Sequence, residues 1–112
     1  MAIEIRVKFE TLRSLGFASI GAAYMGVGTA LDHPARMVLI QNFTDKDLMF
    51  SFDGINDHMP LKFDSSFIFD VSANKTIDTG FFIEKGTRLY VKEIDTPTTG
   101  SVYLTVFYGE QD

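Results

Sequence analysis

The sequence SVYLTVFY at residues 101–108 alternates strictly between two sets of side chains. A period of two places alternate residues on opposite faces of a strand, here Val102, Leu104 and Val106 on one face and Tyr103, Thr105 and Phe107 on the other. One face can therefore fill a core while the other leaves an aromatic strip at the surface. A small monomer rarely exposes a large apolar patch. We predict that Tyr103 and Phe107 are interface residues.

Other stretches carry the same signature of short strands. Residues 3–9 alternate without a break, which predicts a half-buried strand whose apolar side includes Val7 and Phe9. The continuous apolar run at residues 37–40 is typical of a strand buried on both faces. Residues 48–52 alternate again, and the polar turn at residues 44–47 predicts a hairpin between these two strands.

Turn residues separate these segments, as at Asp53-Gly54 and in the cluster TPTTG at residues 96–100. About eight or nine short strands follow, with turn signals every 8–12 residues. This spacing predicts an all-β protein with one antiparallel β-sandwich or barrel. Eleven Phe and no Trp indicate that Phe fills much of the core. The predicted core aromatic residues are Phe50, Phe52, Phe67, Phe69 and Phe81.

The length of 112 residues corresponds to one domain. We assign residues 1–112 to a single sandwich, with its core in residues 36–109. Residues 1–35 form a strand followed by an extended Gly/Ala-rich segment. Residues 14–31 carry no charge and have the length of a short membrane span. Their glycines and small alanines favour a soluble segment over a spanning helix or a signal peptide.

The sequence contains no pattern that predicts a metal site, a cofactor site or a catalytic residue. Cysteine is absent, and His33 and His58 lie 25 residues apart in separate loops. The loop at residues 53–58 is rich in side-chain oxygens, but its spacing differs from that of a calcium loop. It favours a turn in which Gly54 has a positive φ. We expect no catalytic residue, no cofactor and no metal.

The charge balance argues against a nucleic-acid binder. Fifteen acidic and ten basic residues give a net charge of -5, so the basic surface that follows a phosphate backbone is missing. We expect no nucleic-acid partner and no membrane partner. Two further interface candidates are Met49, which alternates with the core residue Phe50, and Tyr24, which lies in the Gly/Ala-rich segment.

From residue 36 to residue 108 the chain resembles small virion structural proteins of tailed bacteriophages. The motifs that carry the resemblance are Ile40-Gln41-Asn42 with Thr44-Asp45, Ser51-Phe52-Asp53-Gly54, Phe69-Asp70 with Asn74, Gly86-Thr87 with Tyr90-Val91-Lys92, and residues 97–103. The resemblance covers about two-thirds of the chain. The resemblance implies a β-sandwich, often a jelly roll, that decorates and cements a capsid or joins head to tail.

The function that we expect rests on this resemblance. It implies a non-enzymatic capsid decoration or cement subunit, with a head–tail connector or neck component as the alternative. Such a subunit is assembled into the virion in the host cytoplasm, and its partners are capsid or neck proteins and copies of itself. The residues themselves leave a carbohydrate-binding sandwich open, because Tyr24, Tyr90 or Tyr103 could form a sugar platform beside Asp, Asn and Arg.

Overall fold

The computed structural model describes residues 5–70 and 83–111, which form two antiparallel sheets packed face to face. The strands in chain order are β1 (Ile5–Phe9), β2 (Arg13–Gly16), β3 (Met25–Gly26), β4 (Ala35–Asn42), β5 (Leu48–Ser51), β6 (Met59–Leu61), β7 (Ser65–Asp70), β8 (Tyr90–Glu93) and β9 (Ser101–Gln111). Sheet A has the order β1-β9-β4-β7, and β2 also pairs with β9. Sheet B has the order β3-β8-β5-β6. A single 3-10 turn (Phe17–Ser19) is the one helical element among the described residues.

The strand pairings nest around one central hairpin. The strands β5 and β6 pair with each other in sheet B, β4 pairs with β7 in sheet A, and β3 pairs with β8 in sheet B. Outermost, β1 and β2 pair with β9 in sheet A. The chain is thus a long hairpin that is rolled up so that successive layers alternate between the two sheets. This is the arrangement of a jelly roll, and the predicted jelly-roll-like sandwich is confirmed.

The core lies between the facing sides of the two sheets. Its buried side chains include Val38, Ile40, Leu48, Phe50, Val91, Val102, Leu104 and Val106. The inward set predicted for the last strand is therefore confirmed. Among the predicted core aromatics, Phe50 is fully buried and Phe52 packs against the core. Phe67 and Phe69 remain 39% and 41% exposed because β7 is an edge strand, so their prediction is wrong, and Phe81 lies outside the described residues.

The hairpin predicted between β4 and β5 is wrong. The two strands lie in different sheets, so the turn at residues 44–47 crosses from sheet A to sheet B. Asn42 is fully buried at the start of this crossing. Its amide nitrogen donates to the carbonyl oxygens of Lys46, Leu61 and Lys62, at 3.0, 3.0 and 3.3 Å, and its oxygen accepts the hydroxyl of Thr44. These bonds stabilise an arch between the two sheets, whereas a hairpin would have kept β4 and β5 in one sheet.

The extended Gly/Ala-rich segment packs on its own sandwich. Ile20, Val27 and Leu31 are buried in the core, and the backbone N–H of Val27 donates to the Leu89 carbonyl at 2.8 Å. Because β1, β2 and β3 belong to the sheets, the core begins before residue 36, where the sequence placed its start. Among the described residues, no helix has the length and apolar character needed to cross a bilayer.

One extra residue separates β1 from β2 along their shared neighbour β9. Phe9 lies opposite Phe107 and Arg13 lies opposite Leu104. The chain therefore advances four residues from β1 to β2 while β9 advances three. An inserted residue of this kind reverses the facing of everything after it. Phe9 therefore points outward while Arg13 points inward and is 6% exposed.

Candidate functional site: the outer face of sheet A

The surface of sheet A that faces away from the core is largely apolar. Residues directly opposite each other in an antiparallel pair share a face. The register places Phe9, Phe107 and Met37 in one outward row, and Thr105, Leu39 and Ile68 in the next. We call the apolar members of these rows, together with Val7, the outer apolar face: Val7, Phe9, Met37, Leu39, Ile68 and Phe107.

Three of these side chains are largely open to solvent. Val7 and Phe9 are each 63% exposed and Ile68 is 59% exposed, whereas Met37, Leu39 and Phe107 are half-buried. The rings of Phe9 and Phe107 pack with their centroids 4.8 Å apart. The sequence predicted a half-buried strand at residues 3–9 with its apolar side covered. This is wrong for Val7 and Phe9, because the apolar side of β1 lies on the outside of the sandwich.

The outer face continues past these rows with little charge. Tyr103 lies in the third outward row, opposite Gln41, and its ring meets that of Phe43 edge to face at 5.9 Å. In the paired rows that the structure describes, Asp70 carries the one carboxylate on this face. A surface of this composition suits burial against another apolar protein surface.

The four predicted interface residues do not form one surface. Tyr103 and Phe107 both lie on the outer side of sheet A, as predicted. Met49 lies opposite Lys92 in sheet B, on the other side of the sandwich. The Lys92 ammonium lies 4.7 Å from the centre of the Tyr24 ring, so Met49 and Tyr24 both border Lys92. Their roles as interface residues stay predictions.

The tyrosines on the sheet B side are occupied by contacts within the chain. The Tyr24 hydroxyl donates to Asp57, whose carboxylate also pairs with Lys92 at 2.9 Å. Burial and the hydrogen bond to Asp57 raise the pKa of Tyr24 above its usual value. A Cβ at Gly54 would lie 3.3 Å from atoms of the Tyr90 ring, and the Arg88 guanidinium lies 5.6 Å from its centre. Neither ring offers an open platform for a sugar.

A buried ion pair fixes the chain where β1 gives way to β2. The Glu10 side chain is 2% exposed and lies 2.8 Å from both Arg13 Nη2 and His33 Nδ1. Arg13 also donates to the carbonyl oxygens of Thr29 and Ala30, each at 2.8 Å. The His33 ring stacks on Tyr108 with centroids 3.7 Å apart. The cluster ties the Gly/Ala-rich segment to sheet A.

Burial alone would raise the pKa of the Glu10 carboxyl. Hydrogen bonds from His33, the Asp32 backbone and Arg13 outweigh that effect and leave the pKa below its usual value of 4.5. Because these partners occupy both carboxylate oxygens, Glu10 is suited to a structural role that links β2 to the segment around His33.

The oxygen-rich loop at residues 53–58 is a hydrogen-bonded turn. Asp53 Oδ1 accepts the backbone N–H groups of Ile55 and Asn56 at 2.8 Å, and Gly54 has the predicted positive φ of 74°. Several hydrogen-bond donors lower the pKa of Asp53, and the backbone N–H of Asn56 has the largest effect. Among residues 5–70 and 83–111, no group of three or more His, Asp or Glu side chains is placed to hold a metal ion.

Sequence reasoning missed five members of the outer apolar face: Val7, Phe9, Met37, Leu39 and Ile68. The signal was present in the apolar runs at residues 37–40 and 67–69, which place apolar side chains on both faces of β4 and β7. In a two-layer sandwich only one face of each sheet meets the other sheet, so the second face must be covered from outside.

Comparisons with known proteins returned no match to this chain from any family model, any curated protein or any solved structure.

Proposed function

We propose that this chain is a non-enzymatic structural subunit of a bacteriophage virion, which decorates or cements the capsid. In this proposal the outer apolar face packs against an apolar surface of the protein shell. The partner is protein because the face offers apolar side chains and one carboxylate in its described rows. An acidic chain of net charge -5 suits contact with a protein shell better than contact with packaged DNA.

The observation that carries the proposal is the exposure of large apolar side chains in one contiguous area. Val7, Phe9 and Ile68 are more than half exposed, yet they lie in the same face as Phe107. An exposed apolar patch of this kind marks an interaction site or an aggregation hazard. A subunit that is always assembled removes the hazard by keeping the patch covered.

The fold supports the proposal only by analogy. Jelly rolls occur in viral capsid proteins, and also in lectins and in cupins. A sugar site needs accessible aromatic rings, whereas Tyr24 and Tyr90 are covered by contacts within the chain. Tyr103, the third candidate platform, packs edge to face against Phe43 on the outer side of sheet A. A cupin-type site needs converging metal ligands, and the carboxylate of Asp53 accepts hydrogen bonds from its own loop. The outer apolar face therefore favours assembly over either alternative.

The experiment that tests the proposal is to locate the chain in purified virions. Quantitative mass spectrometry of phage particles that encode the chain should find it in many copies per particle. Antibodies against the chain should label the outside of the head in electron micrographs. Detection in infected-cell lysate but not in purified particles would contradict the proposal, and label at the neck would replace decoration by the connector role.

A further inference from the structure

We propose that two copies of this chain pair through the exposed edges of β7 to form a two-fold dimer. The proposal rests on the assembly role proposed above and names one partner, which is a second copy of the chain. It places a contact at the edge of sheet A, which the outer apolar face reaches through Ile68.

The first argument comes from how the other sheet edges are protected. An exposed edge strand is a template for pairing, and proteins usually shorten it, interrupt it or place Pro in it. In sheet B, β3 has two residues and β6 contains Pro60. In sheet A, the edge formed by β1 and β2 is interrupted by an extra residue. Among the described strands, β7 is a six-residue edge that lacks each of these protections.

The second argument is the composition of β7. Its centre is Phe67-Ile68-Phe69, and these three side chains are 39%, 59% and 41% exposed. Phe69 and Phe67 lie opposite Val38 and Ile40, which are 2% and 0% exposed. On the core side of sheet A, the side chains of β4 are therefore buried, whereas those of β7 are partly exposed to solvent. A neighbouring strand would cover both the edge and these two aromatic rings.

The third argument is that the sequence of β7 is complementary to itself in one register. Antiparallel pairing centred on Ile68 places Ile68 opposite its copy and Phe67 opposite Phe69 of the other chain. Aromatic cross-strand pairs of this kind stabilise sheets. Centring on Phe67 instead would place Asp64 opposite Asp70, and like charges directly opposite each other are unfavourable.

The geometry also fits the assembly role. A two-fold axis normal to sheet A joins the two sheets edge to edge and keeps their outer sides in one continuous surface. An isologous contact of this type uses the same residues from both copies. The dimer then presents two outer apolar faces in the same direction, so both can contact one shell.

The test uses cysteine cross-linking, which is clean here because the chain contains no cysteine. Ile68→Cys places two thiols directly opposite each other, where Cα atoms of paired strands lie roughly 4.5–5.5 Å apart, within disulfide range. Ser66→Cys lies on the same face of β7, but its two copies would be about 14 Å apart along the strands. We expect mild oxidation to give a covalent dimer with Ile68→Cys and little with Ser66→Cys. Equal cross-linking of both variants would indicate random collision and would overturn the proposal.

A second variant tests the contact without oxidation. Phe67→Lys places a charge on the exposed edge, the device that natural edges use, and leaves the outer apolar face unchanged. We expect sedimentation to show at least a tenfold rise in the monomer–dimer dissociation constant. Ile55→Lys is the matched control, because Ile55 is 80% exposed in the loop at residues 53–58. Oligomers that persist unchanged in Phe67→Lys, or a chain that is monomeric at all concentrations, would exclude the β7 contact. Neither result would remove the chain from virions, so failure of the dimer and failure of the virion role are distinguishable.

Discussion

At the scale of single residues, Gly100 is a position where the fold tolerates no side chain larger than hydrogen. Its φ is 89°, and a Cβ there would overlap the backbone carbonyl oxygen of Phe43. The Gly100 carbonyl accepts the N–H of Phe17, and the neighbouring Ser101 carbonyl accepts the N–H of Phe43. Three separate chain segments therefore meet at this turn. The sequence predicted a turn here, but the close approach of Phe43 is a property of the folded chain.

Gly100→Ala should destabilise the protein by about 3 kcal/mol or more, because a left-handed conformation and a backbone clash add together. Gly86→Ala is the matched control, since Gly86 has a φ of 93° but nothing lies within 4 Å of its Cβ position. Gly86→Ala should lower the free energy of unfolding only by the cost of the left-handed conformation, roughly 1–2 kcal/mol. Urea unfolding of both variants measures the difference. Equal losses would show that the Phe43 carbonyl does not constrain the turn.

Glu10 gives the protein a defined response to acid. Its lowered pKa means that the folded state binds this proton less readily than the unfolded state. Its stabilising contribution is therefore present above the usual value of 4.5 and is lost as the pH falls through the lowered value. At pH 7, Glu10→Gln should cost about 2 kcal/mol, because charged hydrogen bonds to Arg13 and His33 are replaced by neutral ones.

The difference between wild type and Glu10→Gln should shrink on going from pH 7 to pH 3, since below pH 4.5 the unfolded wild-type chain binds a proton at Glu10 more readily than the folded chain does. Denaturant titrations at both pH values provide the measurement. Glu84→Gln, at an exposed position, should stay within about 0.5 kcal/mol of wild type. A gap between Glu10→Gln and wild type that stays constant with pH would contradict the assigned role of the buried carboxylate.

At the scale of secondary-structure elements, the arch between β4 and β5 determines which sheet each strand joins. Asn42 bridges this arch to the carbonyl groups of Leu61 and Lys62, which lie where β6 leads towards β7. One side chain thus connects two of the crossings between sheet A and sheet B. This position explains why a polar side chain is fully buried at the end of β4.

Asn42→Ala should destabilise the fold by about 2–3 kcal/mol, because it leaves buried carbonyl groups and the Thr44 hydroxyl without their partner. Gln41→Ala is a suitable comparison, since Gln41 is its neighbour on β4 but points to the outer side of sheet A. That change should stay within about 0.5 kcal/mol. Thermal and denaturant unfolding give both values. A loss no larger for Asn42→Ala than for Gln41→Ala would remove Asn42 from this role.

Strands were easier to predict than their partners, and the reason is physical. Alternation and turn residues are local signals, so residues 101–108 revealed their core face directly. Pairing depends on contacts between distant segments, and the polar turn at residues 44–47 looks the same whether the chain reverses within one sheet or crosses to the other. Tyr103 and Phe107 face away from the core as alternation predicted, and their role in an interface stays a prediction. Val7 and Phe9 were assigned to the inside because alternation does not say which side of a strand is covered.

At the scale of the whole molecule, the two outer sides of the sandwich differ in the contacts that their side chains make. On the sheet B side, Tyr24, Asp57 and Lys92 make ionic and hydrogen-bonding contacts with one another. On the sheet A side, Val7, Phe9 and Ile68 are open to solvent. This asymmetry is the physical basis of the proposed assembly role.

The binding of Phe9→Ser to virions produced without the chain tests this central claim most directly. Phe9 is already 63% exposed, so the melting temperature of the free subunit should change little, whereas an aromatic anchor in an interface is worth ~2 kcal/mol or more. We predict that Phe9→Ser binds particles about 30-fold more weakly than wild type. Ile55→Ser, which alters an apolar residue 80% exposed in the loop at residues 53–58, should bind like wild type. A folded Phe9→Ser protein that binds particles as tightly as wild type would contradict the account.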